Sequence, residues 1–336
     1  MIAEVLARIR EWLTFYWRPQ EPEVKPSRLR IEASSFCQLR CPSCPTTAGA
    51  INPAIGNGFL RFDDFRALID ANPSIVAVEL SNYGEALLNP DLIAMLQYAQ
   101  QKSVAVNFHN GVNLNNCRDE LLEALVKYQV QEVTCSIDGA SPQTYRIYRV
   151  RGHFDRVISN IRRINHFKEL HHSEVPRLRW QFVVFGHNEH EIPAARAMAA
   201  ELGMIFHTKM SWDAKFSPIR DKDFVRAETG EQAVTREEYE QIHGRKYVRE
   251  TCLQLWDHPQ INWDGKNLGC CRNFWGDFGG NAFKEGLAAC LNHEKMRYAR
   301  SMLRGQKPPR ADIPCSTCDL YQTMHAGLDW IVRDRA

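Results

Sequence analysis

The sequence predicts an α/β protein, with an open, partial (β/α)6 barrel followed by a small cysteine-bearing module. Between residues 28 and 210, short apolar runs alternate with amphipathic helical patterns, which is typical of βα units on a parallel sheet. After residue 250 the pattern changes to a Gly- and Trp-rich stretch with too few apolar residues to form a core without a metal. A doubly wound open sheet is the alternative architecture for the first region.

Apolar runs place six strands in the barrel region. They are Leu29–Ala33, Ile75–Leu80, Val104–Phe108, Glu132–Ile137, Arg179–Phe185 and Ile205–Met210. Helical patterns lie between them, and His109-Asn110-Gly111 is predicted to be a turn after the third strand. In a TIM-like barrel, as in a doubly wound sheet, functional groups lie at the carboxyl ends of the strands. We therefore expect the loop after the first strand to lie at the functional edge.

Composition and spacing also divide the chain into segments. Residues 1–27 have apolar side chains at helical spacing and predict a helix that packs on the main domain or binds a membrane surface or a partner. The other predicted segments are the barrel over 28–210, a linker or active-site cover over 211–250, the cysteine-bearing module over 251–320 and a terminal helix over 321–336.

The composition narrows the classes of function. The 42 basic and 40 acidic residues give a net charge of +2, which argues against nucleic acid as a partner. The sequence contains no run of about 18 apolar residues, so no transmembrane helix is predicted, and no cleavage-site pattern indicates a signal peptide. The eleven cysteines are an odd number, which disfavours a disulfide framework. We expect a protein of the reducing cytoplasm whose cysteines bind metal.

Cys37, Cys41 and Cys44 follow the first strand with the spacing C-x3-C-x2-C. Thiolates at this spacing can bind one inorganic cluster from a single loop. A [4Fe-4S] cube has four irons and normally takes four cysteines, and a structural zinc ion also takes four ligands. Because the loop contains no fourth cysteine or histidine, the spacing predicts a cluster with one iron open to a small molecule.

This motif, in a loop after the first strand of a βα domain, resembles the hallmark of the radical S-adenosylmethionine (SAM) superfamily. The resemblance covers about residues 28–320 and implies that SAM chelates the open iron of a [4Fe-4S] cluster. It also implies reductive cleavage of SAM to a 5′-deoxyadenosyl radical that takes a hydrogen atom from a substrate. An external one-electron donor, such as flavodoxin or ferredoxin, is then required. A zinc site or a core cysteine cluster is the competing interpretation.

The segment Ser81-Asn82-Tyr83-Gly84-Glu85 is similar to the glycine–glutamate motif that holds the SAM ammonium in this superfamily. A glycine permits close backbone approach, and the Glu85 carboxylate offers a counter-charge. The segment has one glycine where many relatives have two, and Ala86 where many have proline.

Further polar residues are expected at successive strand ends. Ser136 and Asp138 lie in a segment similar to the SAM ribose and carboxylate contacts, and Arg149 occupies the position of an arginine that pairs with the SAM carboxylate. Asn107 is expected to end the third strand, with His109 and Asn110, and to face the same site. Ser43 stands where relatives carry an aromatic residue. For each residue alone, an ordinary capping role is the alternative.

Four later cysteines form a second set, Cys252, Cys270, Cys315 and Cys318. The first pair has the spacing C-x12-G-x4-C, and Trp263-Asp264-Gly265-Lys266 predicts a tight hairpin turn between them. This set resembles the auxiliary-cluster module of the SPASM/Twitch subgroup, in the shorter Twitch form with one auxiliary [4Fe-4S] cluster. Cys271 is the alternative to Cys270, and a zinc ribbon with the same four thiolates is the alternative to iron and sulfide.

These assignments predict a radical SAM oxidoreductase that oxidises or epimerises a small polar metabolite, such as a sugar, an aminocyclitol or a nucleoside. The layout is similar to that of the Twitch dehydrogenase of butirosin biosynthesis. The alternatives are modification of a peptide, disfavoured by the short segment before the first strand, a zinc-stabilised binding protein, and an electron carrier. Cys117, Cys135 and Cys290 belong to neither set; Cys135 is expected in the core, and any of the three could donate a hydrogen atom.

Overall fold

The computed structural model describes residues 23–331. The helix predicted over residues 1–27 lies outside the described residues except for residues 23–27, which are not helical. No helix within the described range is long and apolar enough to cross a membrane.

One sheet of eight strands organises residues 23–331. The strands are β1 (Arg28–Ile31), β2 (Ala77–Glu79), β3 (Ala105–Val112), β4 (Glu132–Ser136), β5 (Arg177–Val184), β6 (Ile205–Met210), β7 (Gln260–Ile261) and β8 (Asn267–Gly269). Their order is β6-β5-β4-β3-β2-β1-β7-β8, and β1 to β6 are successive parallel neighbours. This topology confirms the predicted α/β class and the partial (β/α)6 TIM-like barrel.

Helices connect the strands and cover one face of the sheet. They are α1 (Phe62–Ala71), α2 (Leu92–Gln101), α3 (Asp119–Lys127), α4 (Pro142–Tyr148), α5 (Phe154–Leu170), α6 (Ile192–Glu201), α7 (Lys222–Thr229), α8 (Arg236–His243), α9 (Gln254–Asp257), α10 (Leu287–Leu291), α11 (Glu294–Leu303) and α12 (Asp319–Gly327). Side chains alternate between the two faces of a strand. Leu29 and Ile31 therefore pack in the main core, while Arg30 lies on the opposite face and donates to Gln260 and to the Ser81 carbonyl.

The apolar period of α5 shows how the main core forms. Val157, Ile161 and Ile164 recur at helical spacing and are fully buried against the sheet. Each such side chain contributes about 1.5–3 kcal/mol when it is removed from water. The uncovered face of the sheet carries the polar side chains, so the fold separates a packed outer layer from a polar barrel interior.

The structure corrects two boundaries. The third strand does not end at Phe108: it continues to Val112 through His109-Asn110-Gly111, which was predicted to be a turn. A β-bulge makes this possible. Between two paired positions, the chain advances by four residues on β3, from Phe108 to Val112, but by only two on β4, from Val133 to Cys135. The segment after β6, where no helical period was found, contains α7 and α8.

The cysteine-bearing module joins the barrel at β1. The strand β7 pairs with β1 in parallel, and β7 and β8 form an antiparallel hairpin. Gly265 has φ +87° at the hairpin turn, which confirms the predicted turn. A second core lies behind this hairpin, built from α9, α11 and α12. Its largest fully buried members include Phe278, Leu303 and Met302.

Candidate active site

The first cysteine set lies at the carboxyl edge of the sheet, in the loop that follows β1. Cys41 is buried, and Cys37 and Cys44 are half-buried. The Cys44 backbone N–H donates to the Cys41 carbonyl at 3.1 Å, which turns the loop back on itself. The three thiols act on one another electrostatically, so the fold brings them together as predicted.

The three thiols of the first set lie in a small cluster of buried, mostly apolar side chains. The buried side chains that pack with them are Leu39, Tyr148, Val183 and Phe185. Burial raises the pKa of the Cys37 thiol to about 12 and also raises that of Cys41. The Tyr148 hydroxyl is buried and has no hydrogen-bond partner in the described structure. A group with acceptor atoms beside the thiols would satisfy it.

Two polar side chains approach the sulfur atoms. The Asn113 Nδ2 lies 3.8 Å from the Cys37 Sγ, and the Arg149 Nη1 lies 3.8 Å from the Cys41 Sγ. Gln38 fixes the amide by donating to the Asn113 Oδ1 at 2.8 Å. Donors aimed at sulfur stabilise thiolate and tune iron–sulfur clusters. Asn113 carries no signal in the sequence, because only the folded loop brings it to Cys37.

Gly84 holds the β2 loop against the cysteine loop. A Cβ at this position would lie 1.9 Å from the Ser34 carbonyl oxygen, so no side chain fits. The next backbone N–H, that of Glu85, donates to the Phe36 carbonyl at 2.7 Å. Close packing against the Ser34 backbone therefore explains the glycine in this segment, and its expected contact with SAM stays a prediction.

The Glu85 carboxylate is buried and already has partners. It accepts from the backbone N–H of Asn113 at 2.7 Å and from that of Leu87 at 3.2 Å, at the start of the 3₁₀ turn Ala86–Leu88. Burial raises its pKa to about 7. Its position ties Asn113 to the cysteine loop, and its charge raises the pKa of Cys37.

Glu32 is a second buried carboxylate that sequence reasoning missed. It accepts from the backbone N–H of Gly84 at 3.0 Å and from that of Tyr83 at 3.2 Å. Burial raises its pKa to about 7. A lone glutamate just after a strand gives no sign of this role, which depends on the β2 loop packing over it.

Asp138 and Arg149 form a buried ion pair next to Cys41. The Arg149 Nε donates to the Asp138 Oδ2 at 2.6 Å, and the Val183 N–H donates to the Asp138 Oδ1 at 2.7 Å. The structure thus brings together two predicted residues and the cysteine set. Ser136 ends β4 with its Oγ close to Gly111, where a Cβ would lie 2.3 Å from it.

Asn107 lies at a different level of the sheet from the predicted site residue Ser136. It was expected to end the third strand, and this is wrong because β3 continues to Val112. Its register partner on β4 is Glu132, four residues before Ser136. At about 3.3 Å per residue, the two levels are ~13 Å apart along the strand. His109, two residues on, interacts with Glu79 at 3.2 Å rather than with the cysteine set.

The second cysteine set meets inside the module. Its members come from three segments: the 3₁₀ helix Arg249–Leu253, the end of β8 and the 3₁₀ helix Pro314–Thr317 with its neighbour Cys318. Cys252, Cys270, Cys315 and Cys318 line one small cavity, which Leu255, Trp275, Phe278 and Tyr321 close with apolar surface. The buried Tyr321 hydroxyl has no hydrogen-bond partner in the described part of the chain.

Cys271 does not line this cavity. The Gln254 side chain contacts both the backbone and the thiol of Cys271. Its Oε1 accepts from the Cys271 N–H at 2.8 Å, and its Nε2 lies 3.5 Å from the Cys271 Sγ. The geometry therefore favours Cys270 as the second member of the set.

Several contacts join the cysteine-bearing module, which carries the second set, to the barrel edge, which carries the first set. Asn52, just beyond the first set, donates from its backbone N–H to the Phe274 carbonyl at 2.8 Å and from its Nδ2 to the Trp275 carbonyl at 2.9 Å. Tyr83 packs edge-on against Phe274, with ring centroids 5.6 Å apart. The segment after β6 also reaches the first set, since Asp213 accepts from the Ser43 hydroxyl at 2.7 Å. These contacts hold the module and the segment after β6 against the barrel edge that carries the first set.

The three remaining cysteines lie apart from both sets. Cys135 is fully buried in the main core, as expected, and Cys290 is fully buried beside it. Cys117 is half-buried against the same core. Burial raises the pKa of all three thiols.

The donor chemistry of both sets fits iron–sulfur clusters. Soft thiolates are the ligands that such clusters take, and each set lies beside a buried tyrosine hydroxyl that lacks an acceptor, Tyr148 and Tyr321. Among residues 23–331, no group of three or more His, Cys, Asp or Glu side chains is arranged to hold a single metal ion, so the fit of the two sets to clusters rests on their donor chemistry and on these unpartnered hydroxyls.

Comparisons with known proteins agree with this geometry. Residues 31–195 match the family model of the radical SAM superfamily. A comparison with curated protein sequences gives no match.

Solved structures extend the likeness beyond the barrel. SuiB of Streptococcus suis bound to S-adenosylmethionine is 15% identical, with 89% of this chain and 72% of that chain covered and a TM-score of 0.60. Native anSMEcpe with bound AdoMet is 12% identical, with coverage of 88% and 87% and a TM-score of 0.58. BtrN in complex with AdoMet and 2-DOIA is 13% identical, with coverage of 89% and 94% and a TM-score of 0.50.

At these identities, the solved structures show the fold, and the family model shows the domain. The radical SAM domain implies a [4Fe-4S] cluster and SAM as cofactors. Residues 31–195 of this chain therefore form a domain of the radical SAM superfamily, and the fold of the chain is similar to that of the SPASM/Twitch-type structures.

Proposed function

We propose that this protein is a radical SAM oxidoreductase that oxidises or epimerises a small polar metabolite, such as a sugar, an aminocyclitol or a nucleoside. The observation that carries the proposal is the second cysteine set, four thiols that line one small cavity beside the barrel edge. A cluster held there by four cysteines has no open iron, so its use is electron transfer or positioning of the substrate.

In this proposal Cys37, Cys41 and Cys44 bind the SAM cluster. Its chemistry when bound is reductive cleavage of SAM to methionine and a 5′-deoxyadenosyl radical, which takes a hydrogen atom from the substrate. Asn113 and Arg149 stabilise the thiolates, because their donors approach the sulfur atoms of Cys37 and Cys41.

The chain's own residues would position SAM. Arg149 has donors left after its bond to Asp138 and is the residue for the SAM carboxylate. Gly84 lies against the cysteine loop, and we propose that this segment lies beside the SAM ammonium. Glu85 acts as a positioning residue, since its carboxylate holds the Asn113 backbone. Ser136 lies at the same edge, at the end of β4.

We propose Cys252, Cys270, Cys315 and Cys318 as the ligands of an auxiliary [4Fe-4S] cluster that accepts the electron from the substrate. An external donor, flavodoxin or ferredoxin, would reduce the SAM cluster. Both requirements fit a protein of the reducing cytoplasm. The BtrN complex with AdoMet and 2-DOIA, which shares the fold, supports a small molecule as the substrate.

Peptide modification is the second candidate. The observation that favours it is the likeness to SuiB bound to precursor peptide SuiA, which covers 96% of this chain and 75% of that chain with a TM-score of 0.60. The two candidates share the same SAM chemistry and differ only in what fills the space between the cysteine sets.

The test is an anaerobic assay of the reconstituted protein with dithionite and SAM. We expect 5′-deoxyadenosine together with about eight irons per chain, four for each cluster. Bound zinc without 5′-deoxyadenosine would indicate a zinc-stabilised binding protein. Iron and sulfide without 5′-deoxyadenosine would indicate an electron carrier.

Deuterium in the 5′-deoxyadenosine product can identify the class of the substrate. Metabolites extracted from cells grown in D2O are separated from peptides and offered as two pools. We expect deuterium in 5′-deoxyadenosine from the metabolite pool. Deuterium transfer from the peptide pool alone would select the second candidate.

A further inference from the structure

Two cations on the interior side of the barrel have no acidic partner. Lys209 lies on β6 and Arg236 is the first residue of α8. Neither forms an ion pair with any residue in the described range, although most other half-buried cations near the site do. Arg149 pairs with Asp138, and Arg272 pairs with Asp319 at 2.8 Å.

Lys209 is placed between the two cysteine sets. Its register partner on β5 is Val183, which packs with Cys41 in the first set. The charges that act on its ammonium include Asp138 and Arg149 beside the first set and Cys271 beside the second. A substrate must occupy this space to be near both predicted clusters.

Arg236 lies next to Lys209. Its Nη2 is 3.5 Å from the carbonyl oxygen of Met210, the residue after Lys209, and its guanidinium carbon is 5.3 Å from the Tyr247 ring centroid. These contacts leave the Nε buried without a hydrogen-bond partner in the described chain. An oriented guanidinium with an unused donor is suited to an oxyanion.

Without a bound anion, the positive charges of Lys209 and Arg236 destabilise each other's charged form, because both side chains are partly buried. Burial lowers the pKa of Lys209, and the Arg236 charge lowers it further. Burial and the Arg272 charge lower the pKa of Arg236 to about 10. Buried like charges persist when a counter-ion compensates them.

The second cysteine set has its own cations. Arg272 and Arg249 are the cations that act most strongly on Cys252, and Arg272 is the one that acts most strongly on Cys318. Lys209 and Arg236 are therefore not needed as counter-charges of an auxiliary cluster.

We propose that Lys209 and Arg236 form a subsite for an anionic group of the substrate, a carboxylate or a phosphate. This inference rests on the proposed function and deepens it, since it narrows the small polar metabolite to an acid or a phosphate ester. Two neighbouring cations that form no ion pair with the described residues suit that chemistry, and neutral sugars or aminocyclitols would leave them unpaired.

The test uses inorganic phosphate and acetate as probes of the anaerobically reconstituted, dithionite-reduced protein. Phosphorus and methyl-proton NMR relaxation report binding, because a probe between two paramagnetic clusters relaxes faster. The variants are Lys209→Met and Arg236→Met. Lys215→Met removes an exposed lysine nearby and is the matched control, and Lys209→Arg keeps the charge.

We expect at least one probe to bind the wild type, the control and Lys209→Arg, and each charge-removing variant to weaken that binding by about tenfold or more. The probe that binds more tightly distinguishes phosphate from carboxylate. Equal binding in all variants, or no binding of either probe to the wild type, would overturn the proposal. A shift of the auxiliary cluster's EPR signal in both charge-removing variants, with anion binding unchanged, would also overturn it and assign the cations to the cluster.

The outcome is separable from that of the proposed function. Anion binding at this pair without 5′-deoxyadenosine from SAM and dithionite would keep the subsite and reject the radical enzyme. The reverse result would keep the enzyme and reject the subsite.

Discussion

The two cysteine sets have opposite surroundings. Cys37, Cys41 and Cys44 come from one short loop at the edge of the sheet, and polar donors approach two of their sulfur atoms. The second set comes from segments spread over residues 252–318 and lies inside a small apolar core. These surroundings fit the proposed roles, in which the first set exposes a cofactor to a ligand and the second set encloses one.

This difference has a consequence for folding. The thiols of the first set lie outside the main core, which packs the barrel strands and helices against β7 and residues 282–291 of the module. The second core is small, and its segments converge on the four thiols. Under the proposed function, we therefore expect metal bound at the second set to contribute to folding and metal bound at the first set to contribute to reactivity.

Cys41→Ala gives the largest expected effect, because it removes the most buried thiol of the first set. We expect 5′-deoxyadenosine to fall to background while the fold and the auxiliary iron remain. Cys117→Ala, which removes a half-buried thiol outside both sets, is the control. Unchanged SAM cleavage in Cys41→Ala would refute the assignment of the first set.

Cys315→Ala should affect the other region. We expect the loss of about four irons per chain and a lower midpoint of thermal unfolding, with SAM cleavage retained. Cys271→Ala is the matched control and should keep the iron content, since Cys271 does not line the cavity. Iron loss in Cys271→Ala with none in Cys315→Ala would reverse the choice of ligands.

Arg149→Met tests the buried pair beside the first set. Asp138 is fully buried, so removal of its partner leaves an uncompensated charge. We expect a loss of about 3 kcal/mol in the free energy of unfolding and a higher KM for SAM. Arg146→Met, an exposed change on the same helix, should alter neither quantity.

Gly84→Ala tests the contact between the β2 loop and the cysteine loop. The new Cβ would meet the Ser34 backbone, so the loops must separate. We expect a cost of roughly 1–3 kcal/mol, measured by chemical unfolding under anaerobic conditions. Gly327→Ala has open space and should be neutral, and equal stability of the two variants would contradict the packing described.

The smallest expected effect is on pH dependence. Burial raises the pKa of Glu32 from 4.5 to about 7, so the folded protein keeps a proton that the unfolded chain loses. Stability should therefore fall as pH rises from about 5 to about 7, on the order of 1 kcal/mol per unit. Glu32→Gln should reduce this slope of the thermal midpoint, and the remaining slope is expected from Glu85, whose pKa burial also raises to about 7. An identical slope in both proteins would mean that Glu32 is ionised throughout.

Much of the fold could be predicted from the sequence because it is locally encoded. Apolar runs located all six barrel strands, and β6 has the predicted bounds, Ile205–Met210. The end of β3 was missed because His109-Asn110-Gly111 has turn composition, whereas a bulge keeps these residues paired. The helix α1 and the helices after β6 were also missed, since tertiary contacts stabilise short polar segments.

The candidate site residues also divide into those that a local sequence pattern identifies and those that only the folded chain brings together. The cysteine spacings, Gly84, Asp138 and Arg149 are visible as motifs. Lys209 and Arg236 are 27 positions apart and meet only because α8 folds back onto β6. No local pattern identifies a cation that lacks a partner, because pairing is a property of the folded chain.

The most direct measurement of the central claim is EPR of the dithionite-reduced protein with and without SAM. If only the first set has an open iron, SAM should change the signal of Cys315→Ala, which keeps that set. The signal of Cys41→Ala, which keeps the enclosed set, should not respond to SAM. A signal that is unchanged by SAM in Cys315→Ala, or that changes in Cys41→Ala, would contradict the account.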